Sequence, residues 1–331
     1  MNKKRILVAG GGGFIGGHFT QKLLQEGHDV VVADIKPQEN WYQTFDKAEN
    51  HTLNLENKES CFQAVDGVDE IYNLACNMGG MGFIENNKAL CMLSVLVNTH
   101  LLMAAKHFEV KNYFFSSSAC AYPDYLQTDA DIISLKESDA YPANPEDGYG
   151  WEKLFSERMC RHFYEDFGVD SRTFRFHNVY GPHGTWDGGR EKAPAAICRK
   201  VIECMDKGDM NMEIWGDGEQ TRSFMYIDDC LKGIDLLMKS EVREPLNLGR
   251  SELVTINQLL SIVENIADVK VQRNYNLDAP QGVRGRNSDN TLIQEKLGWE
   301  PEIDLATGME KTFWWIKEQY DRRKAGEIVT Q

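Results

Sequence analysis

An α/β fold built on a doubly wound parallel sheet is predicted by three features of the sequence. Short apolar runs alternate with stretches of helical periodicity through the first half of the chain. The first run ends in a cluster of glycines that opens a helix, and the second ends on a carboxylate. Strand, helix and parallel strand in succession form right-handed βαβ units.

The elements follow in order. Residues 5–9 are a short apolar run, and the lysines and arginine before it, with no cleavage site after it, read as a strand entering a turn, not a signal peptide. Phe14, Phe19, Leu23 and Leu24 then recur at helical spacing and stop at Gly27. Further strands are predicted over 29–34, 70–75 and 113–116. Two long helices are predicted, one near 86–107 and one near 148–166. The first is apolar around most of its circumference, so it has one side for the sheet and another for a partner subunit. After Phe176 the texture changes: Gly181-Pro182 and Gly188-Gly189 mark loops, and helices are predicted over 194–205, 227–239 and 256–267. A short strand is predicted at 213–215, and 277–290 reads as loop.

The chain has 331 residues, which suggests about two domains. Its 36 basic and 51 acidic residues give a net charge of −15, which disfavours nucleic acid and anionic membranes as partners. No run approaches the roughly 18 apolar residues of a membrane span. The eight cysteines include no C-x-x-C pair, so no metal site is expected and the thiols read as reduced, in a cytoplasmic protein.

Gly10, Gly13 and Gly16 form G-x-x-G-x-x-G between a strand and a helix, where backbone can approach a pyrophosphate. Phe14 and Ile15 begin that helix. Asp34 ends the second strand, placed to accept the ribose hydroxyls of NAD and to repel the extra phosphate of NADP. Lys36 stands close by. Tyr149 and Lys153 are spaced i, i+4 and share a helix face. An ammonium near the phenol favours the phenolate, which can take a proton from a substrate hydroxyl as hydride leaves. Ser116, Ser117 and Ser118 end a strand, where hydroxyls can point into the ligand crevice.

This combination resembles the extended branch of the short-chain dehydrogenase/reductases, which act on nucleotide sugars. Six longer segments narrow the resemblance: 77–83 (Asn-Met-Gly-Gly-Met-Gly-Phe), 117–123 (Ser-Ser-Ala-Cys-Ala-Tyr-Pro), 175–182 (Arg-Phe-His-Asn-Val-Tyr-Gly-Pro), 184–196, 215–224 and 282–290. They are similar to the GDP-mannose 3,5-epimerase family. The resemblance implies a Rossmann-type NAD-binding domain over 1–176, to which 218–248 returns. It also implies a smaller α/β nucleotide-sugar domain from 177–217 and 249–331. It implies oxidation of GDP-D-mannose at C4, proton exchange at C3 and C5, and re-reduction to GDP-L-galactose and GDP-L-gulose. It assigns Tyr149 and Lys153 to oxidoreduction, Ser118 to the sugar, and Cys120 and Lys192 to proton exchange. Gly79, Asn178, Glu191, Lys200, Arg222 and Arg286 are implied as substrate contacts, the two arginines as partners of the diphosphate. A homodimer is expected from the apolar 86–107 helix packed beside the Tyr149 helix.

The chemistry is consistent with these roles. Hydrogens beside a C4 ketone are acidic, a nearby cation favours a Cys120 thiolate, and Lys192 can protonate the opposite face. Read alone, Cys120 is a buried thiol and Lys192 a surface lysine. A 4-epimerase would leave both idle, a 4,6-dehydratase typically carries an Asp-Glu pair where Ala119-Cys120 stands, and a non-catalytic NAD-binding scaffold would have no use for Tyr149. Three positions depart from the family pattern: Asn54, Asn77 and Asp187, the last where a lysine is usual.

Overall fold

The computed structural model describes residues 3–330. Six strands alternate with helices: β1 (Arg5–Ala9), β2 (Asp29–Asp34), β3 (Glu49–Thr52), β4 (Glu70–Asn73), β5 (Asn112–Ser118) and β6 (Asp170–Phe176). Four short strands follow outside that sheet: β7 (Val179–Tyr180), β8 (Asn211–Trp215), β9 (Thr221–Arg222) and β10 (Met225–Tyr226). The chain returns to the sheet at β11 (Leu246–Leu248), then leaves it for β12 (Val254–Thr255), β13 (Gln272–Asn276) and β14 (Gly285–Arg286). The central sheet has the order β11-β6-β5-β4-β1-β2-β3, and every neighbouring pair is parallel. This is the doubly wound arrangement. Its order reverses between β1 and β4, which opens a ligand crevice at the carboxyl ends of those strands.

Period-two alternation divides the strand residues between two cores. Leu7, Ala9, Val31, Ala33, Ile71, Tyr113 and Phe115 face one way. Ile6, Val8, Val30, Val32, Tyr72, Phe114 and Phe174 face the other. The second face carries α1 (Phe14–Gln25), which buries Phe19 and Leu23. The first face receives Cys61 of α2 (Lys58–Val65). Three helical pieces then run in sequence: α3 (Met81–Asn86), α4 (Lys88–Met92) and α5 (Ser94–His107). Leu101 and Leu102 of α5 join the first core, as does Cys160 of α6 (Asp147–Phe167). Gly168, left-handed at φ +71°, ends α6.

The expected helix over 86–107 therefore starts later. Asn87 leaves helical geometry, with φ −132° and ψ 41°, and the chain is helical from Lys88 to His107. That stretch is long and apolar enough to cross a membrane, which corrects the expectation that no segment approaches such a span. Counting uninterrupted runs missed it because Ser94, Asn98, Thr99 and His100 interrupt the apolar residues without adding a formal charge. In the fold, Val97, Leu101, Leu102, Ala104 and Ala105 are buried, while Leu90, Met92, Leu93 and Leu96 are exposed.

The remaining helices are α7 (Ala193–Lys207), α8 (Ile227–Met238), α9 (Ile256–Ala267), α10 (Thr291–Leu297) and α11 (Leu305–Lys324). Ile234 and Leu237 of α8 lie against the sheet's second face, and the same core continues into Val201, Leu259, Leu260, Phe313 and Ile316. Each such buried side chain contributes about 1.5–3 kcal/mol relative to exposure. Strands β8 and β13 pair in parallel. Strand β9 lies between β12 and β14 and sets Arg222 opposite Arg286.

Candidate active site

The glycine turn is a close crossing of backbone. Gly10 has φ +81°, and a Cβ there would sit 2.8 Å from the backbone of Ala75, across the β1–β4 crevice. A Cβ on Gly16 would lie 2.3 Å from the Gly10 carbonyl oxygen, and one on Gly13 3.1 Å from the same atom. Helix α1 begins at Phe14 with no side-chain cap and no acidic residue in its first turn. The backbone N–H groups at its start therefore face no competing carboxylate, which fits a pyrophosphate. The side chains of Phe14 and Ile15 pack on the core, so their share in this cradle is backbone.

Asp34 is buried at the end of β2 and accepts the Lys36 N–H at 3.0 Å. Burial raises its carboxyl above the usual range, partly opposed by Lys36. The Lys36 ammonium donates to the Gly12 carbonyl at 3.0 Å and lies over the Tyr42 ring. Asn54 accepts the Glu56 N–H at 2.9 Å, a local turn bond.

The side chains expected to carry chemistry meet at the ends of β4 and β5. Tyr149 and Lys153 lie on the buried face of α6. The Lys153 ammonium is 1% exposed, 5.5 Å from the Tyr149 ring centroid and 3.5 Å from Glu152 Oε2. It makes no conventional hydrogen bond, so its donors suit the hydroxyls of a bound ribose. Burial holds the Tyr149 phenol well above its ordinary value, reinforced by Cys76, Cys120 and Glu152. The expected phenolate is therefore not the resting form: desolvation outweighs the Ser118 hydrogen bond that opposes it. Of the three serines, only Ser118 serves this site, bonding Tyr149 and accepting the Cys120 N–H at 3.2 Å. Ser116 donates to the Asn73 carbonyl and Ser117 to Glu157, so neither hydroxyl points at the site.

Cys120 is buried in the turn after β5. The cation expected beside it is Arg286, whose Nη1 is 3.5 Å from Sγ. The thiol is nonetheless pushed up to about 11, by burial first and the Glu146 carboxylate second, with Arg286 opposing them. The expected thiolate is thus replaced by a thiol at rest. Lys192 caps the start of α7 and interacts electrostatically with Cys120 and Cys76; burial lowers its affinity for a proton.

The expected substrate contacts lie on the 77–83 and 188–192 loops, α7, β9, β14 and the turn before β7. Gly79 is buried against Phe83, and the Gly80 N–H donates to the Arg190 carbonyl at 3.0 Å, which joins the 77–83 and 188–192 loops. Glu191 is held by Arg199 and the Gly189 N–H. Asn178, at φ +41°, donates to the Ser223 carbonyl. Lys200 donates to the Glu213 carbonyl at 2.9 Å. Arg222 bonds two carbonyls and makes no ion pair among the described residues, and burial brings it down to about 10. Arg286 bonds Gln127, Glu146 and Cys120, so in this arrangement its guanidinium faces the thiol.

Asp187 pairs with Arg323 at 2.7 Å and Arg199 at 3.4 Å, so its charge is compensated locally by two arginines. Asn77 donates its backbone N–H to Ser94 at 2.9 Å. Sequence reasoning missed Glu146, Gln127 and Cys76. Glu146 lies three residues before Tyr149, the helical spacing that would have flagged it; Gln127 and Cys76 carry no such signal. Among the described residues no group of three or more His, Cys, Asp or Glu side chains is placed to hold a metal ion.

Comparison with known proteins agrees with this geometry. Residues 6–249 match the model of the NAD dependent epimerase/dehydratase family. The GDP-mannose 3,5-epimerase of Arabidopsis thaliana is 46% identical over 322 residues, 97% of this chain and 84% of its own. GDP-mannose 3,5-epimerase 1 of Oryza sativa subsp. japonica is 46% identical over 323 residues, with the same coverage. Among solved structures, a UDP-glucose 4-epimerase with UDP-glucose from Thermotoga maritima superposes with a TM-score of 0.86 at 26% identity, covering 98% of this chain and 100% of that one. A UDP-glucuronic acid 4-epimerase from Bacillus cereus, in complex with UDP-glucuronic acid and NAD, shares the fold at a TM-score of 0.79 and 23% identity, covering 95% of this chain and 99% of that one. The chain belongs to the NAD-dependent epimerase/dehydratase family, and within it to the GDP-mannose 3,5-epimerases.

Proposed function

We propose that the protein converts GDP-D-mannose to GDP-L-galactose and GDP-L-gulose by transient oxidation at C4 and proton exchange at C3 and C5. The observation that carries this reading is the meeting of two sets of side chains in one buried cluster. Tyr149, Lys153 and Ser118 suit oxidoreduction at C4, and the Cys120 thiol with Lys192, whose proton burial loosens, forms an acid–base pair beside them. Reversible oxidation at C4 alone would need only the first set.

The glycine turn and Lys153 hold the dinucleotide, and Asp34 takes its ribose. NAD bound there supplies the hydride acceptor and donor for C4. Tyr149 takes the proton of the C4 hydroxyl. The Lys153 ammonium and the Ser118 hydrogen bond both favour the phenolate this requires, against the cost of burial. The resulting ketone acidifies C3–H and C5–H. With Cys120 as the thiol, Lys192 as the free amine, the form burial favours, removes a proton on one face while the thiol delivers one on the other; the roles reverse at the second carbon, and Tyr149 returns its proton as C4 is reduced. Arg222 makes no ion pair among the described residues and suits the diphosphate. The eight free thiols support a reducing, cytoplasmic setting. The apolar residues left exposed on the 88–107 helix, with Trp151 and Phe155 on the neighbouring α6, support a homodimer packed through four helices.

Incubation with GDP-D-mannose followed by NMR of the recovered sugar should show both L-hexoses; a C4 epimer as the sole product contradicts the reading. Tyr149→Phe should abolish all turnover. Cys120→Ala and Lys192→Ala should each lower epimerisation by about 10²–10⁴-fold while leaving NAD bound. Normal turnover by Cys120→Ala would return that residue to a packing role.

Purified protein should prefer NAD to NADP, and Asp34→Ala should weaken NAD binding in calorimetry. Tighter binding of NADP by the unaltered protein refutes the role given to Asp34.

Sedimentation at micromolar concentration should show a dimer, and Leu96→Glu with Phe155→Glu should give a folded monomer. A monomeric parent protein contradicts the four-helix interface.

A further inference from the structure

Cys120 sits in an unusual electrostatic frame. The Arg286 guanidinium is divided between the Cys120 sulfur, 3.5 Å away, and Glu146 Oε1, with its Nε donating to Gln127. Glu146 is tied to the cysteine through the backbone as well, its N–H donating to the Cys120 carbonyl at 3.0 Å. Gly150 packs on the same carbonyl: a Cβ there would lie 2.2 Å from the oxygen. Glu146 Oε2 is buried without a conventional hydrogen bond, and its carboxylate interacts with the thiol.

We propose that Glu146 is a positioning residue that keeps Cys120 in the thiol form, by drawing Arg286 toward itself and placing a negative charge beside the sulfur. The inference deepens the epimerase reading and rests on it only for its consequence: Cys120 enters the catalytic cycle carrying its proton. The ionisation itself is a property of the unliganded protein. The other groups facing the thiol are Ser118 at the end of β5, Tyr149 on α6, Arg222 on β9 and Lys192 before α7. Burial and Glu146 hold the proton on sulfur, and Arg286 acts against them. Removing the carboxylate charge leaves Arg286 facing the sulfur uncompensated, so the sign is fixed: the thiol becomes more acidic.

The test is the pH dependence of Cys120 alkylation by iodoacetamide, followed on the Cys120 peptide by mass spectrometry in the NAD-loaded protein without sugar. In Glu146→Gln the profile should move to lower pH, with alkylation at pH 7.5 faster by roughly tenfold or more, since below the midpoint the thiolate fraction rises in proportion to the thiol's acidity constant. Glu146→Asp keeps the charge and should retain a profile near that of the parent. A purely structural clamp would give overlapping profiles in Glu146→Gln and the parent, and that result overturns the proposal. If Glu146→Gln does not fold, Arg286→Lys provides the second measurement. The smaller ammonium cannot bridge both groups, so alkylation should slow as Glu146 loses its counterweight; an unchanged or faster rate also overturns the proposal. If the change in alkylation is seen but GDP-D-mannose is not epimerised, the epimerase reading fails while the assignment of Glu146 stands.

Discussion

A buried cation fixes the chemistry of this protein. Arg286 is 5% exposed, and a charge so far from water must be paired and hydrogen-bonded to be tolerated. Its partners come from three parts of the chain: Cys120 from the turn directly after β5, Gln127 from the loop that follows it, and Glu146 from the residue before α6. The β14 strand is thereby tied to the end of the central sheet, and the C-terminal half reaches the Cys120 thiol. A second buried cation steadies the same region. Arg175 on β6 forms a two-pronged pair with Glu157 of α6, at 2.9 and 2.7 Å, and also bonds Tyr122. Removing one partner of such a pair costs about 3–5 kcal/mol, because the remaining charge stays buried. Both pairs therefore set geometry more than net stability.

The parallel sheet supplies the other half of the arrangement. Its strands end together, so turns after β1, β4 and β5 converge on one crevice: the glycine cradle, Cys76, and the Ser118–Cys120 turn. Helix α6 packs beside β5 and presents Tyr149 and Lys153 to the same space. Desolvation then governs the resting protonation states. It holds Tyr149 as the phenol and Cys120 as the thiol, and it loosens the proton on Lys192.

The strands that build the crevice were legible because both faces of the sheet are covered, which leaves continuous apolar runs such as Asp-Val-Val-Val-Ala-Asp. Strand β3 was not, since Glu-Asn-His-Thr is a polar edge strand with one paired side. Helix α11 was passed over because its exposed face is crowded with charge and its apolar stripe is narrow. The i, i+4 relation of Tyr149 and Lys153 and the glycine turn could be read from spacing alone. Cys120 and Lys192 could be placed only through family resemblance, being 72 residues apart with nothing local to connect them. The ionisation states were misread for one reason: a sequence shows which charges exist but not how thoroughly water is excluded. The Asp187 departure resolves in the fold, where Arg199 and Arg323 neutralise it.

The central claim is that a C4 ketone forms and that protons are exchanged at its neighbours. Turnover of GDP-D-mannose in heavy water, with deuterium located by NMR in the recovered sugar, tests it most directly. The account predicts deuterium at C3 and C5 and protium retained at C4, because the hydrogen at C4 returns from the same bound dinucleotide. Absence of solvent deuterium from both C3 and C5 would contradict it.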